Sequence, residues 1–158
     1  MILLIALTYK ESNIPDSPEE AQRQMRNFLR RVKRFHKRQG LPELKYVAVT
    51  KAGKRTGQIY HHIVMSVDIV DYRIASFWDE GYIKVLLLSS VDITNIAGYL
   101  AEGQCCRWCA SRSLGGSGKK QRSIKNALEG FFPGIILHEK AYKRSVMNDR
   151  EAGKHESI

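Results

Sequence analysis

The sequence predicts a single α+β domain with an antiparallel sheet, and three observations support this prediction. Short apolar segments alternate with amphipathic segments along the 158 residues. A hydrophobic content of 43% is enough to build a core in a chain of this length. The segments follow the order β-α-β-β-α-β-α-β, which is typical of a ferredoxin-like sheet with its helices packed on one face.

The first two elements have clear boundaries. The segment 2–9 is an apolar run of strand length and is expected to be a buried strand. Ser17 is the expected N-cap of a long helix, because Pro18 suits the first helical position and Glu20 follows at capping-box spacing. Gly40 stands where the C-cap of this helix is expected. The result is one strand followed by one long amphipathic helix.

The later elements are predicted from shorter patterns. They are strands at 44–50, 60–67, 82–88 and 105–113, and helices at 68–78, 92–103 and 123–131. A glycine-containing turn at 51–58 joins the first two of these strands into a hairpin. The domain is expected to span residues 1–143, and the polar tail at 144–158 is expected to be disordered.

The net charge of +10 favours a polyanionic partner. The basic residues concentrate in the first helix, in the turn at 51–58 and after the fifth strand. The residues predicted to contact nucleic acid are Arg30, Arg31, Lys33, Arg34, Lys37, Arg38, Lys51, Lys54, Arg55, Arg112, Lys119 and Lys120. Tyr60 and Trp108 are candidate stacking surfaces for unpaired bases, whereas Trp78 is expected in the core. A solubilising basic face is the alternative interpretation.

No membrane partner is expected, because no apolar run reaches the roughly 18 residues that a span requires. The apolar start lacks a basic leader and is expected to be a strand rather than a signal peptide. Cys105, Cys106 and Cys109 are clustered and odd in number, so they do not form a disulfide framework. These observations together predict a reduced, cytoplasmic setting.

Three segments resemble the motifs of a known family. Residues 6–9, Ala-Leu-Thr-Tyr, are similar to its first motif, and His62 lies where it carries a histidine-hydrophobic-histidine motif. Residues 96–100, which contain Tyr99, match its nucleophile motif. The segments 44–50 and 111–113 also agree with initiators of plasmids and phages. From residue 2 to about residue 143, the chain therefore resembles the HUH rolling-circle replication initiators.

The resemblance implies a specific chemistry. In that family a divalent metal, held by two histidines and a third polar residue that is often glutamate, polarises a phosphate of single-stranded DNA. A tyrosine then attacks and forms a covalent phosphotyrosine link. Carried over by position, Tyr99 would be the nucleophile and His62 one metal ligand. The cofactor of an active relative would be Mg²⁺ or Mn²⁺.

The sequence departs from this pattern at the positions that carry the chemistry. Tyr60 replaces the first histidine, and Lys51 replaces the third ligand. His61 is adjacent to His62, so the two are expected to point to opposite faces of the sheet. Glu102 stands where relatives commonly have a lysine. If activity survives, Asp68 or Glu43 is the candidate replacement carboxylate.

These observations predict a nucleic-acid-binding protein with the initiator fold that does not nick DNA and needs no cofactor, or binds Mg²⁺ or Mn²⁺ only weakly. Its expected partner is single-stranded or structured nucleic acid. A further hypothesis is repurposing by a phage or mobile element as an inhibitor of a nucleic-acid-guided host defence system, with a host ribonucleoprotein as partner. The alternative is an active initiator that nicks single-stranded origin DNA through Tyr99.

Overall fold

The protein is built on a five-stranded sheet. A computed structural model describes residues 1–67, 72–101, 104–114 and 123–131. The strands are β1 (Ile2–Tyr9), β2 (Lys45–Ala52), β3 (Ile59–Ser66), β4 (Gly81–Leu87) and β5 (Gln104–Ala110). They lie in the order β4-β1-β3-β2-β5, and every pairing is antiparallel. The predicted α+β class with an antiparallel sheet is confirmed, and the fold is consistent with a ferredoxin-like initiator.

The helices match the predicted order, with two local differences. They are α1 (Pro18–Arg38), α2 (Ser90–Ala101) and α3 (Ile124–Glu129). A short 3₁₀ helix (Tyr72–Phe77) occupies most of the segment predicted as the second helix, whose first residues, 68–71, lie outside the described part. The tail predicted to be disordered, 144–158, also lies outside it.

Both long helices begin at a capping box. The backbone N–H of Glu20 donates to Oγ of Ser17 at 3.2 Å, as the sequence predicts for α1. At α2 the predicted cap, Asp92, is instead the third residue of the helix. Its backbone N–H donates to Oγ of Ser89 at 3.2 Å, and its carboxylate accepts from the Ser89 backbone N–H at 2.9 Å. Ser89 therefore caps α2, which begins two residues earlier than predicted, because Asp92 completes the reciprocal bond of a capping box.

The structure corrects one detail of the predicted fold: the helices lie on both faces of the sheet rather than on one. Neighbouring residues of β1 show this, because Leu3 packs in a core with Phe28 of α1. Leu4 packs in a second core with Leu100 of α2. Side chains of successive strand residues point to opposite faces. The physical reason is that β1, β2 and β3 are apolar at both odd and even positions, so each face needs a cover.

The turn between β2 and β3 fixes the register of these strands. Gly57 has φ +66°, a left-handed conformation that glycine adopts without strain. The Gly53 N–H donates to the Gln58 carbonyl at 2.8 Å and closes the turn. The resulting register sets Lys51 opposite Tyr60.

Gly81 begins β4 at a very close approach to β1. A Cβ at this position would overlap the carbonyl oxygen of Thr8 and lie 2.7 Å from Cα of Tyr9. We expect Gly81→Ala to lower the free energy of unfolding by about 1–3 kcal/mol, because β4 must move away from β1. Urea unfolding measures this change. The control is Lys84→Ala on the same strand, an exposed position where the change is expected to stay within about 0.5 kcal/mol. Equal midpoints for the two variants would contradict the close approach.

Candidate functional site

Four residues singled out from the sequence lie together on the face of the sheet that carries α2. His62 is two residues beyond Tyr60 on β3, and Lys51 pairs with Tyr60 from β2. The Tyr60 and His62 rings lie side by side, with centroids 5.2 Å apart. Tyr99 approaches from α2, and its hydroxyl oxygen lies 3.4 Å from Nε2 of His62. We call Lys51, Tyr60, His62 and Tyr99 the Tyr99 cluster.

Lys51 is a buried cation within this cluster. The residue is 3% exposed, and its Nζ donates to the backbone carbonyl of Tyr99 at 2.9 Å. Because α2 ends at Ala101, this carbonyl is one of the last four that lack a partner within the helix. The Lys51 ammonium therefore stabilises the C-terminal end of α2, where a positive charge also suits the helix dipole.

His62 is neutral at pH 7. Burial lowers the pKa of His62 to about 4, and the positive charge of Lys51 lowers it further in the same direction. Within the described residues, Nδ1 of His62 is buried and has no hydrogen-bond partner. Its Nε2 faces the Tyr99 hydroxyl at a distance that is long for a hydrogen bond. A neutral imidazole in this position is able to accept a proton from a tyrosine hydroxyl.

The Tyr99 cluster does not offer the donor set that the resemblance implies for a divalent metal. His62 is its one imidazole, and Lys51 and Tyr60 stand where the other ligands are expected. A lysine ammonium has three donors and no acceptor, so it cannot coordinate a cation. Nor does the described part of the chain contain a group of three or more His, Cys, Asp or Glu side chains that would hold a metal ion. The residues present in this cluster therefore do not fit the metal.

The candidate replacement carboxylates do not join the cluster in the described structure. Glu43 is exposed and precedes β2, at the opposite end of that strand from Lys51. Asp68 lies outside the described residues, as does Glu102. A ligand role for Glu43 is thus separated from His62 by most of the length of a strand.

His61 belongs to the other face of the sheet, as expected from its position beside His62. Its ring nitrogens contact the Tyr9 hydroxyl at 2.7 Å and Oγ1 of Thr50 at 2.9 Å. Gln22 of α1 donates to the same Thr50 oxygen at 3.2 Å. Burial, and then the neighbouring His62, lowers the pKa of His61 to about 3. His61 is therefore a neutral, bonded core residue that connects β1, β2 and β3.

The predicted nucleic-acid contacts fall into separate groups. Every predicted contact on α1 is exposed, but α1 covers the face opposite the Tyr99 cluster. Lys54 and Arg55 are exposed in the β2–β3 turn, and Arg112 is exposed after β5. Lys51 differs from these residues because its ammonium is buried. The remaining two, at 119 and 120, lie outside the described residues.

The aromatic candidates also separate. Trp78 is buried and its indole N–H donates to the carbonyl of Thr8 at 2.9 Å, so the predicted core role is confirmed. Trp108 is half-buried against the core beneath α2, and Tyr60 is half-buried in the Tyr99 cluster. Base stacking by Trp108 or Tyr60 remains a prediction.

Sequence reasoning missed two features. One is the bond from Lys51 to the end of α2, which depends on how α2 docks and leaves no local signal. The other is Arg73, which lies on the 3₁₀ helix and faces Phe35 of α1. Its isolated position in a mainly apolar segment was a usable signal, because a lone arginine there must reach either solvent or an aromatic face. No helix in the described residues is long and apolar enough to cross a membrane.

Comparison with known families identifies the protein. Residues 2–103 match the family model of the replication-associated protein ORF2, and this segment runs from β1 to the end of α2. It includes every member of the Tyr99 cluster. Fold and match together define the class as a replication-associated protein. More specifically, the chain belongs to the replication-associated protein ORF2 family. Neither a curated protein nor a solved structure matches it.

Proposed function

We propose that this protein binds single-stranded or structured nucleic acid and does not nick it by metal-dependent chemistry. The observation that carries the proposal is the buried Lys51 ammonium beside His62, at the position where the resemblance implies a metal-binding carboxylate. The family supplies the link to replication. The departures within the Tyr99 cluster supply the reason to expect binding without cleavage.

The charge of Lys51 opposes a metal strongly. A unit positive charge about 5 Å from a dication raises the energy by roughly 6 kcal/mol at an effective dielectric constant near 20. An exposed lysine escapes this repulsion by turning into solvent. Lys51 is buried and bonded to the Tyr99 carbonyl, so the same escape would break that bond and expose the end of α2.

The basic surface supports the binding half of the proposal. Exposed arginines and lysines on α1, on the β2–β3 turn and after β5 are suited to phosphate contacts, which give affinity without sequence selection. A binder of this kind suits a role as an inhibitor of a nucleic-acid-guided host defence system, through competition for the nucleic acid that such a system carries. Reconstitution of such a system with and without the protein tests this role.

An active replication initiator is the second candidate, and one observation favours it. The Tyr99 hydroxyl faces Nε2 of His62, and the low pKa keeps this imidazole in the form that accepts a proton. Such a pair has the geometry of a nucleophile beside a base, although it is longer than a tight hydrogen bond. The orientation of Tyr99 therefore keeps the nicking reaction chemically conceivable.

Covalent trapping separates the two candidates. The natural protein is incubated with labelled single-stranded and hairpin DNA in Mg²⁺ or Mn²⁺, and label that survives a denaturing gel is measured. We expect no adduct, because the donor set needed to polarise the phosphate is incomplete. Binding of the same DNA, followed by fluorescence anisotropy at moderate salt, is expected in parallel.

Two variants make the trapping result decisive. The triple substitution Lys51→Glu, Tyr60→His and Glu102→Lys restores the residues that relatives carry, and we expect an adduct to form in this background. Adding Tyr99→Phe to it should remove that adduct. An adduct in the natural protein that disappears with Tyr99→Phe would instead establish the initiator. Absence of DNA and RNA binding would rule out both candidates.

A further inference from the structure

A cleft of about 570 Å³ lies between the C-terminal half of α1 and the 3₁₀ helix, on the face of the sheet opposite the Tyr99 cluster. Its lining combines four arginines with two phenylalanines. They are Arg31, Arg34, Arg38, Arg73, Phe35 and Phe77. We call this the arginine cleft. Its volume falls within the range of pockets that hold small organic ligands.

The aromatic part of the cleft is held in place by neighbouring contacts. The rings of Phe35 and Phe77 have centroids 5.7 Å apart, and both are half-buried. The Arg73 guanidinium lies 4.7 Å from the centroid of the Phe35 ring. Arg31 donates to the Phe77 carbonyl at 3.0 Å. These contacts fix an apolar surface between charged groups, with a cation already placed against one ring.

The charged part of the cleft is not neutralised in the described structure. Asp79 forms an ion pair with Arg31. Arg34 and Arg38 are exposed, and no described ion pair involves either of them. Helical spacing places Arg34, Arg38 and Arg31 on one side of α1. The cleft therefore presents guanidinium groups in excess of the carboxylates that the structure shows against it.

We propose that the arginine cleft binds an unpaired segment of nucleic acid, with phosphates on Arg34 and Arg38 and a base against Phe35. Guanidinium groups bind phosphate in a planar, two-bonded geometry. Base faces stack on aromatic rings and on guanidinium planes. In a duplex the base faces are covered by their neighbours, so the phenylalanines favour an unpaired strand. This inference rests on the proposed nucleic-acid binding and assigns it a second site, distinct from the Tyr99 cluster.

The test compares two double variants on the same helix. Arg34→Gln with Arg38→Gln removes two charges from the cleft, and Arg23→Gln with Arg26→Gln removes two exposed charges from α1 outside it. Binding of a fluorescent 20-nucleotide oligothymidylate is measured by anisotropy across a salt series. Loss of two phosphate contacts should lower the log–log salt slope by about 1.4 and the affinity by about 25-fold at 0.1 M salt. The control variant is expected to change affinity less than about threefold.

A second comparison tests the base contact. The same measurement is made with an abasic oligonucleotide of equal length, which keeps the phosphates and lacks the bases. Phe35→Leu should weaken binding of the oligothymidylate at least about fivefold, while binding of the abasic strand stays nearly unchanged. Leucine keeps the apolar volume, so the difference between the two ligands reports stacking.

The outcomes separate this inference from the proposed function. If the natural protein binds neither oligonucleotide, both the function and the cleft assignment fail. If it binds and the cleft variant equals the Arg23/Arg26 control, the function stands and the cleft assignment fails. Equal losses of both oligonucleotides in Phe35→Leu, or displacement by polyglutamate at the same charge concentration, would overturn an unpaired nucleotide as the ligand.

Discussion

Lowering the pH from 7 to 4 is expected to reduce the free energy of unfolding by about 3 kcal/mol through His61 alone. The pKa of His61 is about 3 in the folded protein, compared with about 6.5 for an ordinary histidine. Between these values the unfolded chain binds a proton at His61 and the folded protein does not. The contribution is therefore complete above pH 6.5, decreases as the pH falls through this window, and levels off below about pH 3.

The surroundings of His61 explain why the folded state resists the proton. The imidazole is fully buried and contacts the Tyr9 hydroxyl, the Thr50 hydroxyl and the Trp78 ring. No carboxylate among the described hydrogen bonds reaches its ring. The next titratable neighbour on β3, His62, opposes the charge further. A proton on His61 would thus be a buried charge without a counter-ion.

Urea unfolding at pH 7, 5.5 and 4 measures this effect. His61→Gln keeps a polar group at the site but cannot titrate, so its free energy of unfolding should fall less steeply with acid than that of the natural protein. The comparison uses slopes with pH, because the substitution itself also changes stability at pH 7. Parallel slopes for the two proteins would show that His61 is not the source of the acid sensitivity.

The second large effect concerns the metal. Replacing Lys51 by Glu and Tyr60 by His should produce a protein that Mn²⁺ stabilises, because a carboxylate and a second imidazole then join His62 on one face of the sheet. A ligand that binds only the folded state at 100 times its dissociation constant adds about 2.7 kcal/mol. For a domain of this size that corresponds to a rise in Tm of roughly 5–10 °C.

Thermal unfolding with and without Mn²⁺ provides the measurement. The matched control is Lys51→Met with Tyr60→His, which removes the same ammonium and supplies the same imidazole without a carboxylate. We expect the natural protein to show little response, because Lys51 repels a dication from His62. A comparable rise in the natural protein would mean that Lys51 does not exclude the cation, and the proposed function would lose its main support.

Elements set by local sequence were predictable. The N-terminus of α1 follows from Ser17, Pro18 and Glu20, which act within one turn. The opposite orientations of His61 and His62 follow from the period of a strand alone. The start of α2 was placed two residues late, because Ser89 and Asp92 share the capping role and either one is an acceptable cap in isolation.

Features that depend on docking were not predictable from the sequence. The order of strands shows only that helices must pack on the sheet, so the placement of α2 on the face opposite α1 requires the packed structure. The same docking decides that Lys51 is buried rather than solvated. Arg73 meets Phe35 because α1 and the 3₁₀ helix lie side by side, and neither segment alone indicates this contact.

The register of β3 has a consequence for how this protein can change by mutation. His61 and His62 are one residue apart and serve opposite faces, so a single-residue insertion or deletion in the β2–β3 turn would exchange their positions. The buried network with Tyr9 and the Tyr99 cluster would be lost together. Substitutions at Lys54 or Arg55, which are exposed in that turn, leave the register intact. The length of the turn is therefore under a constraint from both faces of the sheet, while its charge is free to drift.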